Sequence, residues 1–96
     1  IQWEYISMYQ QLSEEFIIKH SDKVNWNCIS IYQQLSEDFI IGNSDKVDWV
    51  DISIYQNLSE TFIVNNLDKL SIDDILKRNL IPKSSPNYKL LILSKI

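Results

Sequence analysis

Alanine is absent from this 96-residue sequence, and glycine, cysteine, histidine and arginine occur once each. The single cysteine, Cys28, excludes an internal disulfide, gives no support to a cysteine-ligated zinc site and favours a reducing compartment. No stretch approaches the ~18 consecutive apolar residues of a membrane-spanning helix. The start of the chain, Ile1–Glu4, lacks the basic region and apolar run of a signal peptide. We therefore expect a protein that is not secreted.

Clusters of basic residues are also missing. The formal net charge is −4, and the acidic residues are spread along the chain. Binding to a nucleic-acid backbone or to an anionic membrane surface normally requires grouped lysines and arginines. The charge pattern therefore predicts neither a nucleic acid nor a membrane as partner. A hydrophobic content of 45% is sufficient for one small packed domain.

Tryptophan recurs with a period of 23 residues, at Trp3, Trp26 and Trp49. Aligned on tryptophan, the chain divides into units one to three, a partial fourth unit and a divergent end: residues 3–25, 26–48, 49–71, 72–79 and 80–96. Such periods are typical of solenoids, whose terminal units differ from the others. The chain lacks an initiator methionine and opens partway into a repeat, so we expect it to be a segment of a longer array.

The first half of each unit carries the features of a short helix. Residues Asn25, Asp48 and Ser71 precede it in the later units, and all three are preferred N-cap types, whereas Gln2 holds this position in unit one. An apolar residue before the cap and an isoleucine five residues later have the spacing of a hydrophobic staple. The pair recurs four times: Ile1 with Ile6, Val24 with Ile29, Val47 with Ile52, and Leu70 with Ile75.

The second half of each unit predicts another short helix, capped by Ser13, Ser36 or Ser59. A glutamate follows each serine, where the helix dipole favours negative charge, and a lysine lies near the far end. Gly42–Asn43 and Asn65–Asn66 are residues that tolerate a left-handed helix exit. The sequence therefore predicts an all-α fold, an α-solenoid of 23-residue helix-turn-helix repeats.

The end of the array breaks the pattern. Pro82 occupies the position of a cap serine, so we expect residues 81–85 to form a loop. Ser85 and Pro86 then resemble an N-cap followed by proline at the first helical position. The following apolar residues predict a helix that caps the array, with a buried strand as the alternative, because short apolar runs are ambiguous. These residues are Tyr88, Leu90, Leu91, Ile92, Leu93 and Ile96.

Three sets of residues recur in every complete unit. We interpret the aromatic set as core packing between units, with a ladder for ligand stacking as the alternative: Trp3, Trp26, Trp49, Tyr9, Tyr32, Tyr55, Phe16, Phe39 and Phe62. We interpret the polar set as satisfying backbone groups at the turn between helices, with a polar groove as the alternative: Gln10, Gln33, Gln56, Ser7, Ser30 and Ser53. Charged pairs serve helix ends and solubility, or form a recognition stripe: Asp22–Lys23, Asp45–Lys46 and Asp68–Lys69.

Neither His20 nor Cys28 has the neighbours that catalysis requires. His20 corresponds to asparagines in the other units, which predicts a surface residue near a helix end. A catalytic base needs a nucleophile and an orienting partner, and an activated thiol needs basic neighbours. Cys28 shares its repeat position with Tyr5 and Asp51, a mixture that indicates partial exposure. We predict no catalytic, cofactor-binding or metal-ligating residue and no enzymatic activity.

The positions that differ between units are the candidates for specificity. In unit two, Asn27, Cys28, Ile31 and Gln34 lie on one face of the predicted first helix. This face is either an outer surface free to vary or a surface that binds a protein partner. On the second interpretation, the candidate partner-binding residues are Tyr5, Met8, Cys28, Ile31, Asp51 and Ile54.

The segment from Val47 to Ile63 contains the pattern D-W-x-x-I-S-x-Y-Q-x-L-S-E-x-F-I. It resembles short tandem repeats in proteins of mimivirus-type giant DNA viruses, over residues 1–71. The resemblance implies a viral repeat protein in the host cytoplasm or virion, without cofactor or catalytic residues. We expect a scaffold that binds a host or viral protein. A structural virion or assembly component that self-associates end to end, and an accessory segment of a larger enzyme, are the alternatives.

Overall fold

The structure is a computed structural model that describes residues 1–96, with eight helices and no strand. Each complete unit contributes two short helices, as predicted, and the fourth unit and the C-terminal segment contribute one each. The helices are α1 (Trp3–Tyr9), α2 (Glu14–Lys19), α3 (Trp26–Tyr32), α4 (Glu37–Gly42), α5 (Trp49–Tyr55), α6 (Glu60–Asn65), α7 (Ile72–Lys77) and α8 (Pro86–Leu93). None of them is both long and apolar enough to cross a membrane.

The units stack in chain order. Helix α1 packs against α3, α3 against α5, and α5 against α7, while α8 packs against α6. The resulting molecule measures 47 × 21 × 20 Å, with a radius of gyration of 14.4 Å. A compact domain of this length would have a radius of about 12.5 Å. The stack is therefore elongated, and each unit is held by its neighbours, as in other solenoids.

Side-chain caps begin most of the helices. Ser13, Ser36 and Ser59 accept hydrogen bonds from backbone N–H groups three residues later, each at 3.1 Å. Asn25 and Asp48 do the same for the first helices of units two and three, each at 3.0 Å. These five predicted caps are confirmed, and they supply acceptors for N–H groups that have no partner within the helix.

Ser71 occupies the N-cap position of α7, as predicted, but the capping hydrogen bond expected of its side chain is not formed. Its hydroxyl donates to the Asp74 carboxylate at 2.6 Å and accepts no bond from the start of α7. Asp74 is the third residue of α7 and lies within reach of the hydroxyl. A hydrogen bond from the hydroxyl to an ionised carboxylate is stronger than one from a neutral backbone N–H to the hydroxyl. The sequence pattern at this position therefore resembles that of the earlier caps, but the Ser71 hydroxyl donates a hydrogen bond where the other cap side chains accept one.

The predicted left-handed exits after the second helices are also wrong. Asn43 and Asn66 have φ angles of −123° and −130°. The Asn43 amide instead donates to the Phe39 carbonyl at 2.9 Å, and its own carbonyl accepts from two later N–H groups. The chain thus continues into a further turn without a left-handed residue. The one positive φ in the structure, 55°, is that of Asn79, which follows α7.

Isoleucines form the centre of the core. One isoleucine in every helix from α2 to α7 is fully buried: Ile17, Ile29, Ile40, Ile52, Ile63 and Ile75. The apolar residues before the first helices, Val24, Val47 and Leu70, are also buried, so both members of these three predicted staples lie in the core. Burial of large aliphatic side chains is the main favourable contribution to the stability of the stack.

The aromatic set divides into two groups. Trp26 stacks on Phe39 with ring centroids 6.1 Å apart, and the equivalent pairs of units one and three have the same arrangement, so these pairs lie within units. The tyrosines are exposed, and the prediction that they pack in the core is wrong: Tyr9, Tyr32 and Tyr55 are 65%, 52% and 54% exposed. In units two and three, the glutamine after the tyrosine bonds to the preceding unit, and the tyrosine faces solvent.

The C-terminal segment is a helix, so the strand alternative is excluded. Ser85 accepts a hydrogen bond from the Asn87 N–H at 3.2 Å, and Pro86 is the first residue of α8. Leu91 is 1% exposed where α8 packs against α6. The loop predicted around Pro82 is confirmed. Residues 80–96 therefore cover the last part of the array.

Candidate interaction surface

The recurring glutamines join each unit to the one before it. The Gln33 amide donates to the carbonyls of Ser7 and Gln10 at 2.9 and 2.7 Å, and its oxygen accepts from the Leu12 N–H at 3.0 Å. Gln56 makes the equivalent three bonds to unit two. The glutamines satisfy backbone groups at the turn, as predicted, but those groups belong to the preceding unit. They are structural rather than available for a ligand.

Serine and glutamate side chains form two further links between units. The Ser7 hydroxyl donates to the Trp3 carbonyl at 2.7 Å. It accepts at 3.1 Å from the N–H of Asn25, the last residue of unit one and the N-cap of α3 in unit two. The Glu14 carboxylate accepts from the Ser36 N–H and hydroxyl at 2.7 and 3.0 Å. Both links recur between units two and three. The glutamates, which the sequence suggested only as dipole partners, therefore also fasten adjacent units together.

The six candidate partner-binding residues lie on the three helices that stack side by side. They form one pair on each of α1, α3 and α5, with the members of a pair three positions apart, a spacing that places both on one helix face. Tyr5 is 53% exposed. The other five are partly buried: Met8, Cys28, Ile31, Asp51 and Ile54. The structure thus brings the six together in a row that solvent reaches.

The exposed tyrosines lie at the ends of the same three helices. The ring centroids of Tyr5 and Tyr9 are 4.8 Å apart, so the row of exposed tyrosines contacts the candidate residues on α1. An uncharged cleft of about 260 Å³ lies between units one and two, lined by Met8, Tyr9, Gln10, Gln11, Tyr32, Gln33 and Gln34. We call the six candidate residues, together with Tyr9, Tyr32 and Tyr55, the stacked-helix face.

Negative charge and burial suppress the reactivity of Cys28. Burial raises the pKa of the Cys28 thiol, and the nearby carboxylates of Glu4 and Asp51 raise it further. Burial, and then the charge of Asp48, also raises the pKa of Asp51. An activated thiol needs the opposite surroundings, with cations that favour the thiolate. The partial exposure predicted for Cys28 is confirmed, and its surroundings favour the neutral thiol.

Cys28 is expected to react with iodoacetamide more slowly in the folded protein than in the urea-unfolded chain at the same pH, because the raised pKa leaves less thiolate. The Asp51→Asn variant should react faster than the parent, since one of the two carboxylates is removed. Since the folded state holds the thiol proton more tightly, the free energy of unfolding should fall as pH rises through the ordinary thiol pKa. Equal alkylation rates for the folded and unfolded chains, followed by mass spectrometry, would contradict the electrostatic assignment.

His20 packs against aromatic rings at a helix end, and the charged pairs lie in exposed turns. His20 is the C-cap residue of α2, with its ring 5.0 Å from that of Trp3 and 4.5 Å from that of Phe16. The Asp45–Lys46 and Asp68–Lys69 pairs lie in turns rather than on helices, and each forms an exposed contact of 3.4 Å. Such exposed pairs contribute little to stability. No group of three histidine, cysteine, aspartate or glutamate side chains lies close enough to hold a metal ion.

Comparison with known proteins assigns the chain to no family. No protein-family profile matches it, and neither do any curated proteins or solved structures. The surface of this chain itself is therefore the basis for a functional proposal.

Proposed function

We propose that this chain is a non-enzymatic helical-repeat scaffold that binds a protein partner through the stacked-helix face. One observation carries the proposal. Three tyrosines that are each more than half exposed recur in register along this face, beside residues that vary from unit to unit. If the rings served only to pack the helices together, they would be buried. If the face contacted only water, we would expect charged side chains in place of the tyrosines.

The chemistry of the face suits a protein partner. Tyrosine combines a large apolar ring with a polar hydroxyl, and it is enriched in protein–protein interfaces for that reason. The cleft between units one and two has no charged side chain in its lining, so a partner can cover it without removing a charge from water. The constant tyrosines would provide contact area. The varying positions of Tyr5, Cys28 and Asp51 would distinguish one partner from another.

The resemblance to giant-virus repeat proteins suggests the origin of the partner, and the viral origin of this chain stays a prediction. If the chain is viral, the partner is a host protein or another viral protein. The stack is rigid in the sense that each unit is tied to the next by several hydrogen bonds. A pre-organised face loses little conformational entropy on binding, which favours recognition of a folded partner surface.

The test compares two triple variants that place equivalent changes on different faces. Met8→Gln, Ile31→Thr and Ile54→Thr alter the stacked-helix face. Ile18→Thr, Ile41→Thr and Val64→Thr alter a column on the second helices, in which Ile18 and Ile41 are 47% and 46% exposed. Proteins that co-purify with the parent chain are identified by mass spectrometry, and the leading one is purified for a direct titration.

Binding of the purified partner should be weakened at least about ten-fold by the first triple variant and be unchanged by the second. Circular dichroism shows whether both variants keep the helical content of the parent chain. If the first variant binds as tightly as the parent, the stacked-helix face is not the binding surface. Equal weakening by both variants would point to a general loss of structure instead.

A further inference from the structure

The tyrosines of the stacked-helix face recur at an interval that helix packing sets. Each is the last residue of its helix: Tyr9 of α1, Tyr32 of α3 and Tyr55 of α5. These helices pack side by side, and packed helices lie about 8–10 Å apart. Helices α3 and α5 each have a packed helix on both sides, so the exposure of Tyr32 and Tyr55 is a property of units inside the array. The face therefore presents an exposed ring about every 8–10 Å.

An exposed side-chain amide follows each tyrosine two residues later in the chain. These amides are those of Gln11, Gln34 and Asn57. The cleft between units one and two has a tyrosine and one such glutamine from each unit in its lining: Tyr9, Gln11, Tyr32 and Gln34. A side-chain amide can donate two hydrogen bonds to carbonyl groups of a partner. The face therefore offers aromatic rings and hydrogen-bond donors in the same register.

Every charged side chain on the three stacked helices is negative. Helices α1, α3 and α5 contain Glu4 and Asp51 but no lysine or arginine. Burial, and then the carboxylates of Glu4 and Asp51, raise the pKa of the Cys28 thiol, so both charges act at the middle of the face. Asp51 also lies one helical turn before Tyr55. The row of tyrosines therefore has an anionic border, which is complementary to a cationic partner.

A polyproline II helix fits the interval between the tyrosines. It has three residues per turn and rises about 3.1 Å per residue, so every third side chain faces the same way at intervals of about 9.3 Å. A β-strand presents alternate residues to one face, at intervals of roughly 6.6 or 13 Å. Seven residues of an α-helix span about 10.5 Å, but its carbonyls are already bonded within the helix. The carbonyls of polyproline II have no internal partner, so they can accept from the exposed amides.

We propose that the tyrosine row of the stacked-helix face binds a basic, proline-rich peptide segment in the polyproline II conformation. This inference rests on the proposed function and names the class of partner for the same face. One proline of each turn would pack on a tyrosine ring, as in other aromatic-lined grooves. The peptide carbonyls would accept from Gln34 and its equivalents. Lysine or arginine side chains on another edge of the peptide would lie towards Glu4 and Asp51.

The first arm of the test compares three labelled peptides by fluorescence anisotropy with the intact chain. The probe consists of four Pro-Pro-Lys triplets, which place a lysine on the same edge at every turn, and saturable binding is expected. Four Gly-Ser-Lys triplets carry the same charge on a flexible backbone and should bind at least about ten-fold more weakly. Four Pro-Pro-Glu triplets keep the conformation with the opposite charge and should also bind at least about ten-fold more weakly.

These peptides contradict the proposal in different ways. Absence of binding by the Pro-Pro-Lys peptide would overturn it. Equal binding of the Gly-Ser-Lys peptide would overturn it too, because the face would then recognise charge without the polyproline II conformation. Equal binding of the Pro-Pro-Glu peptide would show that the anionic border does not select a basic partner.

The second arm changes the face while the probe stays the same. Tyr32→Ala removes the central ring and should weaken binding of the Pro-Pro-Lys peptide at least about ten-fold. Tyr32→Phe keeps the ring and should weaken it less than about three-fold. Ile41→Ala, at a side chain of α4 that is 46% exposed, is the control away from the face and should leave binding unchanged. Equal weakening by Tyr32→Ala and Ile41→Ala would overturn the assignment of the site.

The peptide test and the test with the co-purified partner separate two claims. Suppose that the Pro-Pro-Lys peptide does not bind, whereas binding of the purified partner depends on Met8, Ile31 and Ile54. The stacked-helix face would then bind a protein but not a polyproline II segment, and only this inference would fail. If instead the peptide requires Tyr32 and the purified partner is insensitive to the triple variant, the polyproline II site is supported and that partner binds elsewhere.

Discussion

Replacing Gln56 with alanine is expected to lower the free energy of unfolding by about 3–5 kcal/mol. Gln56 is 4% exposed. Its side-chain amide donates to the carbonyls of Ser30 and Gln33 at 2.8 and 2.7 Å, and its side-chain oxygen accepts from the N–H of Leu35 at 3.1 Å. Alanine leaves three backbone groups without these partners at a buried interface. Each buried polar group that loses its partner costs about 1–3 kcal/mol, and the N–H is the hardest to leave unpaired.

Gln10→Ala is the matched control for this experiment. Gln10 holds the same repeat position as Gln56, yet it is exposed and makes no side-chain hydrogen bond. Its replacement should change stability by no more than about 0.5 kcal/mol. Urea unfolding followed by circular dichroism provides both values. If Gln56→Ala costs as little as Gln10→Ala, the glutamine bonds between units do not stabilise the stack.

A weakened interface should also change the cooperativity of unfolding. In a solenoid, stability is approximately the sum of terms for single units and for the interfaces between neighbours. Gln56 belongs to the interface between units two and three. Its loss would allow the two parts of the array to unfold separately, so the m-value of the main transition should fall along with its midpoint.

The sequence was sufficient for the features that depend on a few neighbouring residues. The caps at Ser13, Ser36 and Ser59, the loop at Pro82 and the closing helix each follow from residues within one short segment of the chain. The two local errors have local causes as well. A competing carboxylate redirects the Ser71 hydroxyl, and the amide of Asn43 supports a turn that needs no left-handed residue.

The orientation of recurring residues could not be predicted in the same way. Tyr32 and Gln33 recur equally often, yet the tyrosine is 52% exposed and the glutamine 5% exposed. A repeat shows that a position is constant, but the rotation of each helix against the next unit decides whether that position is buried. The bond from Ser36 to Glu14 spans 22 residues and depends on the same rotation. Such contacts between units require the three-dimensional stack.

The candidate site was predictable as a face but not in its full extent. Helical periodicity placed Cys28 and Ile31 on one face, and the structure aligns that face across three stacked helices. The tyrosines that border it were missed because they were assigned to the core. The interpretation of the next residue, a glutamine, as a partner for backbone groups at the turn was the available clue, since adjacent helical residues point in different directions. Partner binding by this face stays a prediction.

Ile40→Ala is expected to cost about 2–5 kcal/mol, because it removes a fully buried aliphatic side chain and leaves a cavity. Ile40 lies on α4 in unit two and belongs to the single cluster of buried apolar residues that extends from Ile17 to Leu91. The next residue, Ile41, is 46% exposed and provides the control. Ile41→Ala should be close to neutral, since alanine has the higher helix propensity and little apolar area is lost.

The position of the unit in the array should modulate this cost. Ile17 is as fully buried as Ile40, but it belongs to unit one, which has only one neighbour in the structure. Unit one can therefore unfold with the loss of a single interface, and Ile17→Ala should lower the main thermal transition less than Ile40→Ala. Differential scanning calorimetry of the three alanine variants measures the order Ile40, Ile17, Ile41. If Ile17→Ala and Ile40→Ala lower the transition equally, the chain unfolds as one cooperative unit rather than as coupled repeats.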